Sequence, residues 1–388
     1  MPHFQKPLLY LLLVALILPI FSFSAWAQSG DYPSVSAQSA MLIEASSGKP
    51  VYEKDAHRRL PMASTTKIMT ALVAARLAPP DHRIRVDARA VGVEGSSVYL
   101  TEGEILTLEE LLYALLLESA NDAAVAIAIG LSGSVEAFCE EMNREAKRLG
   151  LNETHFVNPH GLDDSEHYTT AFELALIARA LLENDWLATI VSTTKKTIGT
   201  DSPEHTRVLI NHNRLLRSYD GCIGVKTGYT KRSGRCLVSA AEKNGVRLIA
   251  VTLNAPNDWQ DHTDLFDYGM TRYRSVRLCE RQEHCFEVAV VGGTHSVLTV
   301  SNQETLAVTL PRKSVAVNTT VELPRFLYAP ISTDQTVGKV VYHADLDGDG
   351  ISERLGEVAL TVCQGVEITP PKSFWQKIVD FFRNIFSF

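Results

Sequence analysis

The sequence predicts a mixed α/β domain, then a smaller all-β domain, then a closing amphipathic helix. Three observations carry the prediction. Over the first two thirds of the chain, apolar stripes at helical spacing alternate with short strand-like runs. From about Val276 the apolar residues recur at every second position, and from Ser373 aromatic residues gather on one helical face. With 388 residues, 45% hydrophobic and 21% charged, the chain can bury a large core and divides into two domains. A formal net charge of −8 argues against nucleic acid as a partner, and no basic stripe or Cys/His metal spacing offsets it.

The N-terminus carries His3 and Lys6, an apolar run over residues 8–21, and then Ala25-Trp26-Ala27. This is the layout of a secretory signal over residues 1–27, cleaved before Gln28. The expected mature protein is exported across the cytoplasmic membrane, and residues 28–37 read as a linker. Six cysteines remain: Cys139, Cys222, Cys236, Cys279, Cys285 and Cys363. An oxidising compartment permits several pairings, and spacing does not choose among them. Cys279 and Cys285 are near enough to close a small loop, while Cys139 sits among apolar helix positions. No Cys-His arrangement makes any of them a candidate nucleophile.

Residues 40–44 and 51–53 are strand-like and flank Ser46-Ser47-Gly48-Lys49, the composition of a hairpin turn. Ala63-Ser64-Thr65-Thr66-Lys67 then opens a helix through Ile68, Leu72 and Ala75 that Pro79-Pro80 stops. Three residues apart, Ser64 and Lys67 share a helix face. A serine must give its proton to a base to become a nucleophile, and a desolvated lysine can be that base. A helix cap beside a solvated lysine is spelled the same way, and the tetrapeptide recurs at Ser192-Thr193-Thr194-Lys195.

Leu108, Leu111, Leu112, Leu115 and Leu116 form a helix stripe, broken by Glu118-Ser119-Ala120-Asn121-Asp122 before a second apolar run at 123–129. Such a polar break is either a capping turn or an inward loop whose Ser119 relays a proton and whose Asn121 bonds a substrate amide. Ser134 caps a further helix bearing Phe138, Met142 and Leu149; residues 156–168 are loop, and 171–182 helix. Residues 223–230 read as a strand containing Lys226-Thr227-Gly228, followed by a turn and a second strand at 236–240. Glycine in a strand often marks close approach of another backbone. The lysine and threonine suit an anionic group and the backbone suits an extended peptide, although an ordinary edge strand has the same composition.

In the last third, Phe286, Val288, Val290, then Leu306, Val308, Leu310, then Val358, Leu360, Val362 alternate, predicting a β-sandwich of short strands over 276–368. Asp345-Leu346-Asp347-Gly348-Asp349-Gly350 matches the start of a calcium loop, but Gly356 stands at the twelfth position where glutamate is needed. A hairpin turn is expected instead, with no metal. Over 369–388, Pro370-Pro371 introduces a helix with Phe374, Trp375, Ile378, Phe381, Phe382 and Ile385 on one face. It is too short to span a bilayer and suits a membrane surface.

Ser64-Thr65-Thr66-Lys67 on a helix, Ser119-Ala120-Asn121 between helices and Lys226-Thr227-Gly228 on a strand, in that order, resemble the penicillin-recognising serine acyl-transferases. The copy at Ser192 fails this test, because no Ser-x-Asn lies between it and Lys226. Within that superfamily, Phe156-Val157-Asn158-Pro159-His160-Gly161-Leu162, Tyr168-Thr169-Thr170-Ala171 and Asn211-His212-Asn213-Arg214-Leu215-Leu216 are similar to the low-molecular-mass D-alanyl-D-alanine carboxypeptidases. The resemblance covers residues 38–275 and implies a β-lactamase/transpeptidase-like catalytic domain: an antiparallel sheet flanked by a helical cluster, with the three motifs meeting at their junction.

The resemblance also implies roles. Ser64 would attack the carbonyl between the terminal D-alanines of a peptidoglycan stem peptide, and Lys67 would take its proton. Ser119 would pass a proton to the leaving amine, and Asn121 would hold the substrate or Lys67. Lys226 and Thr227, beside Gly228, would take the terminal carboxylate, and the backbone amides of Ser64 and Tyr229 would form the oxyanion hole. No cofactor or metal is implied, and β-lactam antibiotics would acylate the same serine. His212 departs from the family, some of whose members carry arginine there. A class A β-lactamase would pair a glutamate with an asparagine a few residues later; Glu166 lies in such a region, but Thr170 stands where the asparagine is sought. A decayed wall-binding protein is the alternative outside enzymes, and every motif residue is intact.

Overall fold

Strand β1 (Ser39–Glu44) is buried at all positions, the pattern of a strand covered on both faces. It pairs antiparallel with β2 (Pro50–Lys54) across the expected turn. The structure is a computed structural model and describes residues 32–199, 203–313, 315–346, 348–371 and 373–386. The signal expected over 1–27, its cleavage site and the first linker residues lie outside the described residues.

A short 3-10 turn, Ala63–Thr66, precedes α1 (Lys67–Leu77), so Ser64 sits on the turn and Lys67 opens the α-helix. β3 (Arg83–Arg85) and β4 (Ile105–Thr107) form a small ribbon. Helix α2 (Leu108–Leu117) starts at a capping box made by Thr107 and Glu110. Helix α3 (Asn121–Ser132) follows, then α4 (Val135–Arg148), capped by Ser134 as the sequence predicts. Helix α5 (Ala171–Leu182) is capped by Thr170, and α6 (Asp185–Ser192) by Asn184. β5 (Lys195–Ile198) pairs with β6 (Arg207–Ile210). The meander β7 (Cys222–Thr230), β8 (Gly234–Lys243) and β9 (Val246–Leu253) completes a five-stranded antiparallel sheet in the order β2-β1-β9-β8-β7, and α7 (Asp258–Arg272) follows.

Alternation along the central strands divides the core in two. Met41 and Ile43 of β1, with Val238 and Ala240 of β8, pack into the helical cluster, whereas Ala40 and Leu42 meet Leu265 and Phe266 of α7. Each fully buried leucine or phenylalanine contributes about 2 kcal/mol, and this holds the sheet between its two layers. β7 is the outer strand and packs against the turn that carries Ser64.

Beyond α7, β10 (Tyr273–Cys279), β11 (Cys285–Val291), β12 (Val297–Asn302), β13 (Leu306–Pro311), β14 (Val317–Glu322), β15 (Phe326–Tyr328), β16 (Thr336–Ala344) and β17 (Glu353–Val362) follow, with no helix between them among the described residues. The expected sandwich takes the form of a six-stranded sheet, β14-β16-β17-β12-β11-β15, and a two-stranded ribbon, β10-β13. Val288, Val290, Val358, Leu360 and Val362 share one buried cluster, as their alternation predicts. The acidic loop connects β16 to β17 as a hairpin: the Asp345 carboxylate accepts from the amides of Gly348 and Gly350. All six cysteines are unbonded; Cys139 is buried, and Cys279 is buried while Cys285 is exposed. Helix α8 (Phe374–Phe386) ends the described chain.

Candidate active site

The Ser64 turn is held from three sides. The Thr65 hydroxyl donates to the Met62 carbonyl at 2.6 Å, and the Thr66 hydroxyl donates to the Ala63 carbonyl at 2.8 Å. Ala63 itself takes a left-handed φ of 48°, unusual for a residue with a side chain. His167 backs the turn: its Nδ1 accepts from the Val157 amide, which leaves Nε2–H to donate to Thr66 Oγ1 at 2.7 Å. Burial pushes the His167 pKa down to about 3, so the ring is the neutral imidazole this chain of bonds requires. The strain at Ala63 persists because the surrounding bonds fix it.

Lys67 is fully buried. Its Nζ lies 2.9 Å from Ser64 Oγ, 2.7 Å from Asn121 Oδ1 and 2.6 Å from the His160 carbonyl. Three acceptors match the three donors of an ammonium. Yet burial, followed by repulsion from Lys226, holds the Lys67 pKa well below its ordinary value, and Asp122 offsets only part of this. Losing one proton leaves a lone pair aimed at Ser64, and the direction of that hydrogen bond reverses: the serine then donates. Asn121 is spent on both sides, with Oδ1 on Lys67 and Nδ2 donating to the Glu94 carbonyl at 2.6 Å. Asp122, the next residue, is fully buried and ties down the neighbouring loop through Ser97 Oγ and the amides of Val98 and Leu100.

Ser119 is a buried residue with φ 61°, set just before α3. It lines a cleft of about 370 Å³ together with Ser64, Ser96, Thr227, Gly228 and Tyr229. Gly228 allows a close approach: a Cβ at this position would lie 3.0 Å from the Ser64 amide nitrogen and 3.1 Å from that of Thr65, so a larger residue would push on the backbone of the turn. Lys226 is buried beside it, and its Nζ donates to the Thr227 carbonyl at 2.8 Å. Burial brings the Lys226 pKa down to about 7, against an opposing pull from Glu118. Lys226→Met therefore removes a like charge that depresses Lys67, so the acidic limb of the kcat/KM profile moves to higher pH. A pH profile on the same substrate checks this, and an unmoved limb refutes the coupling.

Other residues singled out by sequence fall elsewhere. Ser192 ends α6 and Lys195 begins β5, so the second Ser-x-x-Lys has no common helix face. Glu166 is exposed, and Thr170 is committed to capping α5 through its bond to the Glu173 amide. The loop that carries Glu166 instead brings the His160 carbonyl to Lys67, which no side-chain pattern announces. His212 bonds Glu118 Oε2 at 3.0 Å. Sequence reasoning also missed Ser96, Arg214, Arg235, Asp258 and Trp259 on the cleft. The Asn-His-Asn-Arg run was the available signal for Arg214.

The chain is similar to known proteins in sequence and in fold. The family model for Peptidase S11, described as D-alanyl-D-alanine carboxypeptidase, matches residues 26–257. The chain is similar to the D-alanyl-D-alanine carboxypeptidase DacF of Bacillus subtilis (strain 168), 34% identical across 88% of this chain and 91% of that protein. It is 31% identical to DacC of Escherichia coli (strain K12), across 93% and 92% of the two chains. Among solved structures, penicillin binding protein 5 from Haemophilus influenzae superposes with a TM-score of 0.63 at 28% identity, covering 86% of this chain and 98% of that one.

Proposed function

The chain belongs to the D-alanyl-D-alanine carboxypeptidase family, and from that premise we propose how its residues carry out the reaction and where in the cell they do so. It is a serine hydrolase that acts on peptidoglycan. The observation that carries the assignment of residues is the 2.9 Å contact between Ser64 Oγ and a fully buried Lys67 Nζ.

Neutral Lys67 takes the Ser64 proton as Oγ attacks the carbonyl of the penultimate D-alanine. The resulting oxyanion is received by the backbone amides of Ser64 and Tyr229, each such donor contributing about 3 kcal/mol in sites of this kind. Ser119 relays that proton from Lys67 to the departing nitrogen, the C–N bond breaks, and free D-alanine leaves an ester on Ser64 and a neutral Lys67. Water then attacks the ester, the proton it gives up returns through Lys67, and the Ser64 oxygen leaves as the hydroxyl. Asn121 keeps Lys67 in place throughout, and Thr227 with the field of Lys226 receives the terminal carboxylate. A β-lactam ring offers Ser64 a strained acyl target in place of the peptide bond and leaves a slowly hydrolysed ester.

Incubating the protein with a stem-peptide mimic ending in D-Ala-D-Ala releases D-alanine, and penicillin adds its mass to a peptide containing Ser64. An adduct without release points to binding or transpeptidation, and rapid penicillin turnover to a β-lactamase. Absence of both release and adduct refutes the reading.

The enzyme acts outside the cytoplasmic membrane, exported by the signal over residues 1–27 and attached to the outer face by α8. Among the described residues no single helix is long and apolar enough to cross a membrane. What supports surface attachment is that Phe374 and Trp375 are each 73% exposed, with Val379 and Phe382 also exposed, on a helix with charges opposite. Trp375→Glu with Phe382→Glu therefore shifts the protein from sedimenting with phospholipid vesicles to the supernatant, while D-alanine release from a soluble mimic is unchanged. Continued sedimentation of the double variant would refute the attachment.

A further inference from the structure

A peptide cut before its last residue carries its formal charge one residue beyond the scissile carbonyl, so the cleft needs a cation at that distance which is free to bond it. The basic groups around the cleft are not equivalent. Lys226 is buried, and its Nζ already gives one of its donors to the Thr227 carbonyl at 2.8 Å. His212 is bonded to Glu118 at 3.0 Å. Arg235 donates to the buried carboxylate of Asp258 at 2.8 Å, with its guanidinium over the Trp259 ring.

Arg214 differs from all of these. It lines the same cleft as Ser64, Ser119 and Thr227 and is exposed; among the described residues its guanidinium has no hydrogen-bond or ion-pair partner. Its backbone, in contrast, is fixed. Asn211 Nδ2 donates to the carbonyls of Val191 and Thr193, and Asn211 Oδ1 accepts from the Asn213 amide. Asn213 Oδ1 in turn accepts from the Leu215 amide, so Arg214 stands between two locked residues. A rigid base with an unspent fork is suited to a ligand carboxylate, because guanidinium offers two parallel N–H donors to its two oxygens.

We infer that Arg214 binds the terminal carboxylate of the substrate, beside the Thr227 hydroxyl, and so sets the preference for a free C-terminus. The inference rests on the carboxypeptidase reading. Lys226 then acts mainly through its field on Lys67.

The test uses the full chain, as unaltered enzyme, Arg214→Gln and Arg214→Lys, on two peptides that differ only at the end: one stem-peptide mimic ends in D-Ala-D-Ala and the other in D-Ala-D-alaninamide. For Arg214→Gln, kcat/KM on the acid falls about 10- to 100-fold, mostly through KM, the size expected for a charge-assisted hydrogen bond. The rate on the amide stays within about twofold of the unaltered enzyme, because the lost bond was never made there. Arg214→Lys recovers part of the acid preference by charge alone. An equal fall on both peptides makes Arg214 a structural residue and overturns the inference, as does an unchanged preference. Absence of D-alanine release by the unaltered enzyme overturns the carboxypeptidase reading first, and this inference with it.

Discussion

Lys67→Ala lowers the rate of D-alanine release by about 10⁴-fold, Ser64→Ala lowers it at least as far, and the double variant is no worse than Ser64→Ala alone. The non-additivity follows from the geometry. Lys67 Nζ has one catalytic partner, Ser64 Oγ at 2.9 Å, and its other two contacts are fixed supports, the Asn121 amide and the His160 carbonyl. Base and nucleophile therefore act as a unit, and losing either removes the same step. Both single variants also fail to form a penicillin adduct on the timescale of the unaltered enzyme. Steady-state release and intact mass measure the two effects. If the double variant were slower than Ser64→Ala by the full factor of Lys67→Ala, the two residues would be working independently and the assignment of Lys67 as the base would fall.

Gly161→Ala has the next largest effect, although Gly161 carries no functional group. A Cβ at Gly161 would lie 1.9 Å from the Ala63 carbonyl oxygen and 2.8 Å from Thr66 Oγ1, and the backbone there has φ 90°. Relief requires moving backbone, either that of the Ser64 turn or that of the loop whose His160 carbonyl holds Lys67. Activity falls at least about 100-fold because a 1 Å displacement of the reacting groups is enough for that, and the fold loses about 3 kcal/mol. Gly92→Ala is the control, since Gly92 also has a positive φ, 73°, but a Cβ there meets nothing within 4 Å. It costs about 1 kcal/mol by backbone strain alone and leaves turnover intact. Chemical unfolding and kcat together separate the two, and a Gly161→Ala enzyme with normal kcat would show that the turn tolerates displacement.

Much of this protein was legible before folding because the signals were local. Ser134 announced a helix start by its side-chain oxygen, and it caps that helix. The alternation of Val358, Leu360 and Val362 announced a half-buried strand, and all three are buried. The Ser64 spacing announced a hydroxyl and an amine within reach of each other, and they lie 2.9 Å apart, while Gly228 announced a close approach that turned out to be the backbone of Ser64. Caps, alternation and the Ser64 spacing depend on residues within a few positions of each other, so a short stretch of sequence contains them; what Gly228 approaches lies far along the chain.

What tertiary structure alone decided is the electrostatic state of the site. Lys67 was legible as a candidate base, but its pKa is lowered only because helices and sheet from distant parts of the chain remove water from it and set Lys226 nearby. Its support from His160 comes through a backbone carbonyl 93 positions away, and carbonyls are the same in every residue, so no motif could name it. The difference between Arg214 and Arg235 likewise has no spelling: the two side chains are chemically identical and both line the cleft, and only the fold sets a buried Asp258 against one of them. Sequence determined which groups were available and in what local geometry. Folding determined which were desolvated, which were already bonded and which were left for a substrate, because desolvation and hydrogen-bond partnership are set by distances across the chain.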